Sequence, residues 1–101
     1  MIKATVLYGH PTDEEAFEKY YAEKHHPVVL KVKGIVKLEY TKFLPGPDGA
    51  VPAYYRMAEL YFTTPEEMQS IMASPEAQTM AGDLTNFATG GVTILMGTVE
   101  N

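Results

Sequence analysis

Few side chains in this sequence could move a proton near neutral pH. Of its three histidines, His25 has the most suggestive setting, because it follows Tyr21 by four residues and Phe17 by eight. That spacing stacks the three on one stripe of a helix. A helix C-terminus favours imidazolium, and a phenol one turn back can hydrogen-bond either protonation state. The same spacing equally suits a partly buried histidine that ties down a helix end, and spacing alone leaves both open. His26 faces roughly 100° away and is expected at the surface. His10, before Pro11, belongs to a loop at a strand's end, a place that can line a pocket. Adjacent helical residues cannot converge on one ion, and no His-x-x-x-His or carboxylate triad supplements the pair, so no metal site is expected.

A second cluster is Asp83-Leu84-Thr85-Asn86-Phe87. Asp83 and Asn86 lie three apart at a helix end that Gly90-Gly91 terminates. An acid there opposes the helix dipole at a cost of a few tenths of a kcal/mol, unless a partner offsets it. Either a functional site or a local Asx turn would account for it. Tyrosine usage is the third feature: seven tyrosines and no tryptophan. Tyr8, Tyr40, Tyr55 and Tyr61 fall in expected strands, where apolar bodies with polar tips suit a pocket for a flat molecule or, equally, a dimer interface.

Composition narrows the classes. The chain has 101 residues, enough for one hydrophobic core and not two. Thirteen acids against eight Lys and Arg give a net charge of −5, which repels phosphate backbones and argues against nucleic acid as a partner. The absence of cysteine removes disulfides, zinc-thiolate sites and thiol nucleophiles. Nothing approaches ~18 consecutive apolar residues and the start runs straight into a strand, so no membrane association and a cytoplasmic location are expected.

The elements that must position these residues follow from periodicity and caps. Residues 2–8 alternate as a strand, with Ile2, Ala4, Val6 and Tyr8 on one face. Thr12 and Glu15 form a capping box for a helix carrying Phe17, Tyr20, Tyr21 and Lys24. Pro27 should end or kink that helix near His25, then open a short turn through Val28, Val29 and Val32, stopped by Gly34. Residues 35–44 form the second strand and Tyr54 to Phe62 the third, around the turn Pro45-Gly46-Pro47-Asp48-Gly49. Thr64-Pro65 and Ser74-Pro75 each start a helix, over 65–73 and 75–84, before a last strand from Val92 to Glu100.

The order β-α-β-β-α-β predicts an α+β, ferredoxin-like domain: two helices on one face of a four-stranded antiparallel sheet. Strands one, three and four carry apolar residues at both parities, as in Val6 against Leu7 or Ile94 and Met96 against Leu95. Helices cover one face, and no segment remains for the other. A homodimer packed sheet to sheet is therefore expected; the alternative is a solvated face softened by Lys37, Glu39 and Thr41.

The stretch Phe-Glu-Lys-Tyr-Tyr-Ala-Glu-Lys-His-His-Pro-Val-Val at 17–29 resembles the signature of the EthD family, named for ethyl tert-butyl ether degradation. There an aromatic-rich helix leads into His-x-Pro, and a glycine–apolar pair (here Gly34-Ile35) starts strand two. Residues 83–87 resemble the family's second signature, and the likeness spans essentially the whole chain. Here the x of His-x-Pro is His26, where the family usually has a small or apolar residue. The resemblance implies a dimeric α+β barrel, with a cleft between sheet and helices in each protomer. It implies His25 as the functional histidine, with Tyr21, Asp83 and Asn86 as neighbours.

Two functional readings follow. In the first, a catabolic enzyme of the isomerase, cyclase or monooxygenase-like kind acts without a cofactor on a small apolar or aromatic molecule. His25 would be its acid/base and Asp83 the group that orients it. Tyr21 and Asn86 would bond a substrate oxygen, and Tyr8, Phe17 and Phe87 would complete the wall. In the second, a non-catalytic accessory protein holds a hydrophobic metabolite, or haem through His25, for a partner oxygenase. An interaction domain with no small-molecule site is a third possibility.

Overall fold

The computed structural model describes residues 1–100. Four strands, β1 (Ile2–Tyr8), β2 (Lys37–Lys42), β3 (Arg56–Phe62) and β4 (Val92–Thr98), form one sheet in the order β2-β3-β1-β4. Every neighbouring pair is antiparallel, as expected for a ferredoxin-like domain. The register places Val6 opposite Ala58 and Ile94, and Ala4 opposite Leu60 and Met96. One face of the sheet therefore carries Ala4, Val6, Tyr8, Ala58, Leu60, Ile94 and Met96, joined by Leu38 and Tyr40 of β2. Among the described residues no helix is long and apolar enough to cross a membrane.

Helices α1 (Glu14–Tyr20), α2 (His26–Leu30), α3 (Pro65–Met72) and α4 (Pro75–Asp83) lie on that face. Their buried residues, among them Phe17, Val29, Ala77 and Met80, join Tyr8, Leu60 and Phe62 in a single core. The caps of α3 and α4 are as expected: Thr64 accepts from the Glu67 N–H and Ser74 from the Ala77 N–H. The cap of α1 is not. Asp13, in extended conformation, accepts from the Ala16 N–H, while Thr12 is drawn to the Thr89 hydroxyl. The helix thus starts one residue later than a Thr12 cap would place it.

Pro27 neither ends nor breaks the first helix. Residues Tyr21–His25 form a π-helical turn that joins α1 to α2, with the His26 N–H reaching back five residues to the Tyr21 carbonyl. In a regular helix the proline ring would collide with the carbonyl four residues back and remove its donor. Widening the turn accommodates it. Gly34 then closes the segment at φ +99, a conformation that L side chains rarely adopt.

The outer sheet face is more polar than expected. Leu7 and Met57 are half-buried there and Leu95 is 54% exposed, but Lys3 pairs with Glu59 and Tyr61 donates to Glu39. The larger apolar exposure is on β4, which the helices leave bare: Ile94 is 50% and Met96 61% exposed.

Candidate functional site

The wide turn decides the site's geometry. Residues five apart on an α-helix point about 140° apart, so Tyr20 and His25 would diverge. Across the π-turn both reach the Asp83 carboxylate: the Tyr20 hydroxyl donates to Oδ1 at 2.6 Å, and Nδ1 of His25 lies 2.9 Å from Oδ2. Asn86, one turn after the end of α4, donates its Nδ2 to Oδ1 at 2.8 Å. Three donors thus offset the cost of an acid at a helix C-terminus. Burial alone would raise the Asp83 carboxyl, but the bonds from Tyr20, Asn86 and His25 hold it below the usual carboxylate range.

His25 is 3% exposed. It sits within a continuous helical run rather than at a helix end, so the dipole stabilisation expected for it is absent. Burial dominates and lowers its pKa, against the opposing pull of Asp83. The resulting pair is a neutral imidazole donating to an ionised carboxylate. With Nδ1–H committed to Asp83, Nε2 carries the lone pair, which is the tautomer a general base requires. The ring is held between Tyr21, stacked at 5.8 Å, and Phe87 at 4.7 Å.

His25 forms part of the wall of a cavity of about 130 Å³ between helices and sheet. The floor is Ala4, Val6 and Tyr8 of β1, Leu38 and Tyr40 of β2, Ala58 and Leu60 of β3, and Ile94 and Met96 of β4. Tyr21, Val29, Met72, Met80, Ala81 and Leu84 complete the roof. The hollow exists because Ala4 and Ala58 put methyl groups where neighbouring positions carry large side chains. Burial raises the Tyr8 and Tyr21 phenols and pushes Tyr40 up to about 12, so all three stay protonated near neutrality. Every lining side chain is thus uncharged. The Tyr21 hydroxyl is buried and makes no hydrogen bond of normal geometry, although it interacts electrostatically with the Tyr8 phenol. Among the described residues no group of His, Asp and Glu could hold a metal ion.

The expected residues assemble, though not in the expected layers. Tyr8, Tyr21 and His25 line the cavity. Asp83 and Asn86 stand behind His25, and Asn86 spends its amide on Asp83 rather than facing a guest. Phe17 and Phe87 also lie outside the lining, packed against Tyr8 and Tyr21 at 5.4 to 5.8 Å and flanking a separate surface groove. His26 is half-buried, not at the surface, because its Nδ1 meets the Tyr40 hydroxyl at 2.7 Å. Tyr55 donates to Glu18 instead of entering the pocket. His10 lies in an exposed loop against the Pro52 carbonyl, away from the cavity. Tyr20, Ala4 and Ala58 were not anticipated as site residues. The spacing rule for α-helices hides Tyr20, while alanines at inward positions of two adjacent strands are a readable sign of a void.

The EthD domain family matches residues 9–91. A relative from Rhodococcus erythropolis, an uncharacterized 11.0 kDa protein in the thcB-thcC intergenic region, is 40% identical over 95 residues, 94% of this chain and 91% of that protein. The crystal structure of an ethyl tert-butyl ether degradation (EthD) family protein from Bacillus halodurans is similar with a TM-score of 0.92 at 29% identity, covering 99% of both chains. A dimeric ferredoxin-like protein of unknown function from Thermobifida fusca shares the fold alone, with a TM-score of 0.73 at 8% identity over 97% of this chain and 90% of that one. On the family match, and on the relative that spans nearly its whole length, this chain belongs to the EthD domain family.

Proposed function

We propose that this EthD-family chain is an enzyme of small-molecule catabolism that moves a proton on a small apolar or aromatic substrate held between sheet and helices. His25 is the catalytic base through Nε2, and Asp83 is the positioning residue that fixes its tautomer and stabilises the imidazolium formed in the transition state. Tyr21 and Tyr8 contact the substrate. Phe17 and Phe87 hold the rings in place, and Asn86 acts through Asp83. The observation that carries this reading is the buried His25–Asp83 bond in the wall of an otherwise apolar hollow. A neutral imidazole that is itself buried in an apolar wall is poised to accept a proton. Isomerase, cyclase and monooxygenase-like reactions all begin with such a removal from carbon or oxygen.

Two copies of the chain associate on this reading, in the cytoplasm. The support is the bare apolar surface of β4, together with Leu7, Met57 and Leu95 on the outer sheet face. The dimeric Thermobifida fusca protein has the same fold.

The carbon-lined wall also favours a second reading, a carrier for an apolar metabolite. Haem does not fit either reading, because a cavity of about 130 Å³ is far smaller than a porphyrin. The two readings part on turnover. Small enolizable ketones in D₂O should exchange their α-hydrogens faster with the protein than without it, by NMR. His25→Gln should remove the acceleration. Binding without any His25-dependent exchange would leave the carrier.

A further inference from the structure

We infer that the guest of this cavity is a neutral carbonyl compound about the size of one six-membered ring, its oxygen accepting a hydrogen bond from the Tyr21 hydroxyl. The inference rests on the proposed small-molecule site and names the class of molecule that fills it. Size comes first. The cavity of about 130 Å³ is close to the ~150 Å³ of apolar space that takes up benzene in an engineered protein core. A single ring or a branched group of similar bulk fills it, and a second fused ring does not.

Charge comes next. A carboxylate or phosphate buried here would need a cation, and no lining residue supplies one. The guanidinium of Arg56 does not line the cavity; it lies over the Tyr21 ring, 5.2 Å from its centre, and is tied to both carboxylate oxygens of Glu18. A buried ammonium would be no better placed, since Asp83 is behind His25 and already holds three donors. Anionic and cationic guests are both excluded.

The polar handle is the last point. Tyr21 is 5% exposed and its hydroxyl is the one buried side-chain polar atom without a partner among the described residues. Such a group is costly to leave unmade, and a guest oxygen that accepts from it removes the cost. A carbonyl is the fitting acceptor. The His25 Nε2 lone pair can then take a proton from the adjacent carbon while Tyr21 stabilises the developing enolate oxygen; returning the proton to that carbon, or to another, restores both groups.

The test is calorimetric or NMR-detected binding of four probes: cyclohexanone, its hydrocarbon isostere methylenecyclohexane, benzoate, and the two-ring ketone 2-decalone. Cyclohexanone should bind at one site per chain, at least about tenfold more tightly than benzoate or 2-decalone. Tyr21→Phe, which keeps the ring and its packing, should weaken cyclohexanone about five- to tenfold and leave methylenecyclohexane within about twofold. Benzoate or 2-decalone binding as well as cyclohexanone would overturn the inference. So would Tyr21→Phe affecting ketone and hydrocarbon alike, or neither. Binding needs no turnover, so the two claims fail separately. Selective cyclohexanone binding without exchange sinks only the enzymatic reading, and His25-dependent turnover of a charged or two-ring substrate sinks only this one.

Discussion

Tyr20 and His25 are five residues apart on one helical run, yet they reach the two oxygens of a single carboxylate, that of Asp83. A regular α-helix would have pointed one of them away. The π-turn that joins them exists because Pro27 follows His25-His26 and cannot complete an ordinary turn. A backbone constraint at one residue thereby sets the chemistry of another.

If that carboxylate fixes the imidazole, Asp83→Asn should be worse for activity than for folding. The amide can still accept from His25 or donate to it, which releases the tautomer. Exchange on an enolizable ketone should fall by about 10²- to 10⁴-fold, with substrate binding little changed. A loss confined to binding would instead make Asp83 part of the pocket wall.

Stability should depend on pH through the same pair. Burial holds His25 below its ordinary 6.5 in the folded chain. The unfolded chain therefore binds the additional proton, and stability is lost as pH falls below about 6.5 while staying flat above it. Asp83, held below its ordinary 3.8, adds a further loss in more acidic solution. Urea midpoints between pH 4.5 and 8 should show this slope, and His25→Gln should flatten its upper part.

Tyr20→Phe separates support from chemistry. It leaves the cavity wall untouched and removes one donor from Asp83, which raises that carboxyl and frees it to shift against the imidazole it positions. We expect a lower kcat with KM unchanged and a displaced acidic limb of the pH–rate profile. An unchanged profile would reduce Tyr20 to a packing residue.

The void itself can be filled. Ala58→Val adds two methyl groups at the cavity floor, from a central strand whose backbone is fixed on both sides. The melting temperature should hold or rise, while cyclohexanone binding and exchange disappear. Retained binding would place the guest elsewhere.

Gly9 and Gly90 test the frame that holds β1 against the loop before β4. A Cβ on Gly9 would lie 2.2 Å from the Gly90 carbonyl oxygen, and one on Gly90 2.3 Å from that of His10. Both obstacles are backbone. Gly90→Ala should cost about 1–3 kcal/mol in chemical denaturation, as overpacking does.

Much of this architecture could be read without coordinates. Alternation in residues 2–8 and the caps at Thr64 and Ser74 place their elements, since each depends on local contacts alone. The convergence of His25 with Asp83, Asn86 and Tyr21 was expected on family resemblance and not on spacing, because 58 residues separate the pair along the chain. What stayed hidden has physical causes. Helical periodicity assumes a uniform turn, so the π-turn concealed Tyr20, while the rule that a proline ends a helix at the residue before it put His25 at a helix end. Helical spacing puts His26 at the surface because its partner, Tyr40, belongs to strand β2 and not to the helix. Asn86 and Phe87 sit near the right group but one layer back, a distinction that only packing makes.

The most direct test of the account is ¹⁵N NMR of the His25 imidazole as pH is varied. We predict a neutral ring protonated at Nδ1 at pH 7, with an unprotonated Nε2 and a titration midpoint below 6.5, and a shift in Nε2 when cyclohexanone is added. A ring protonated at Nε2, or one still charged well above pH 6.5, would contradict it.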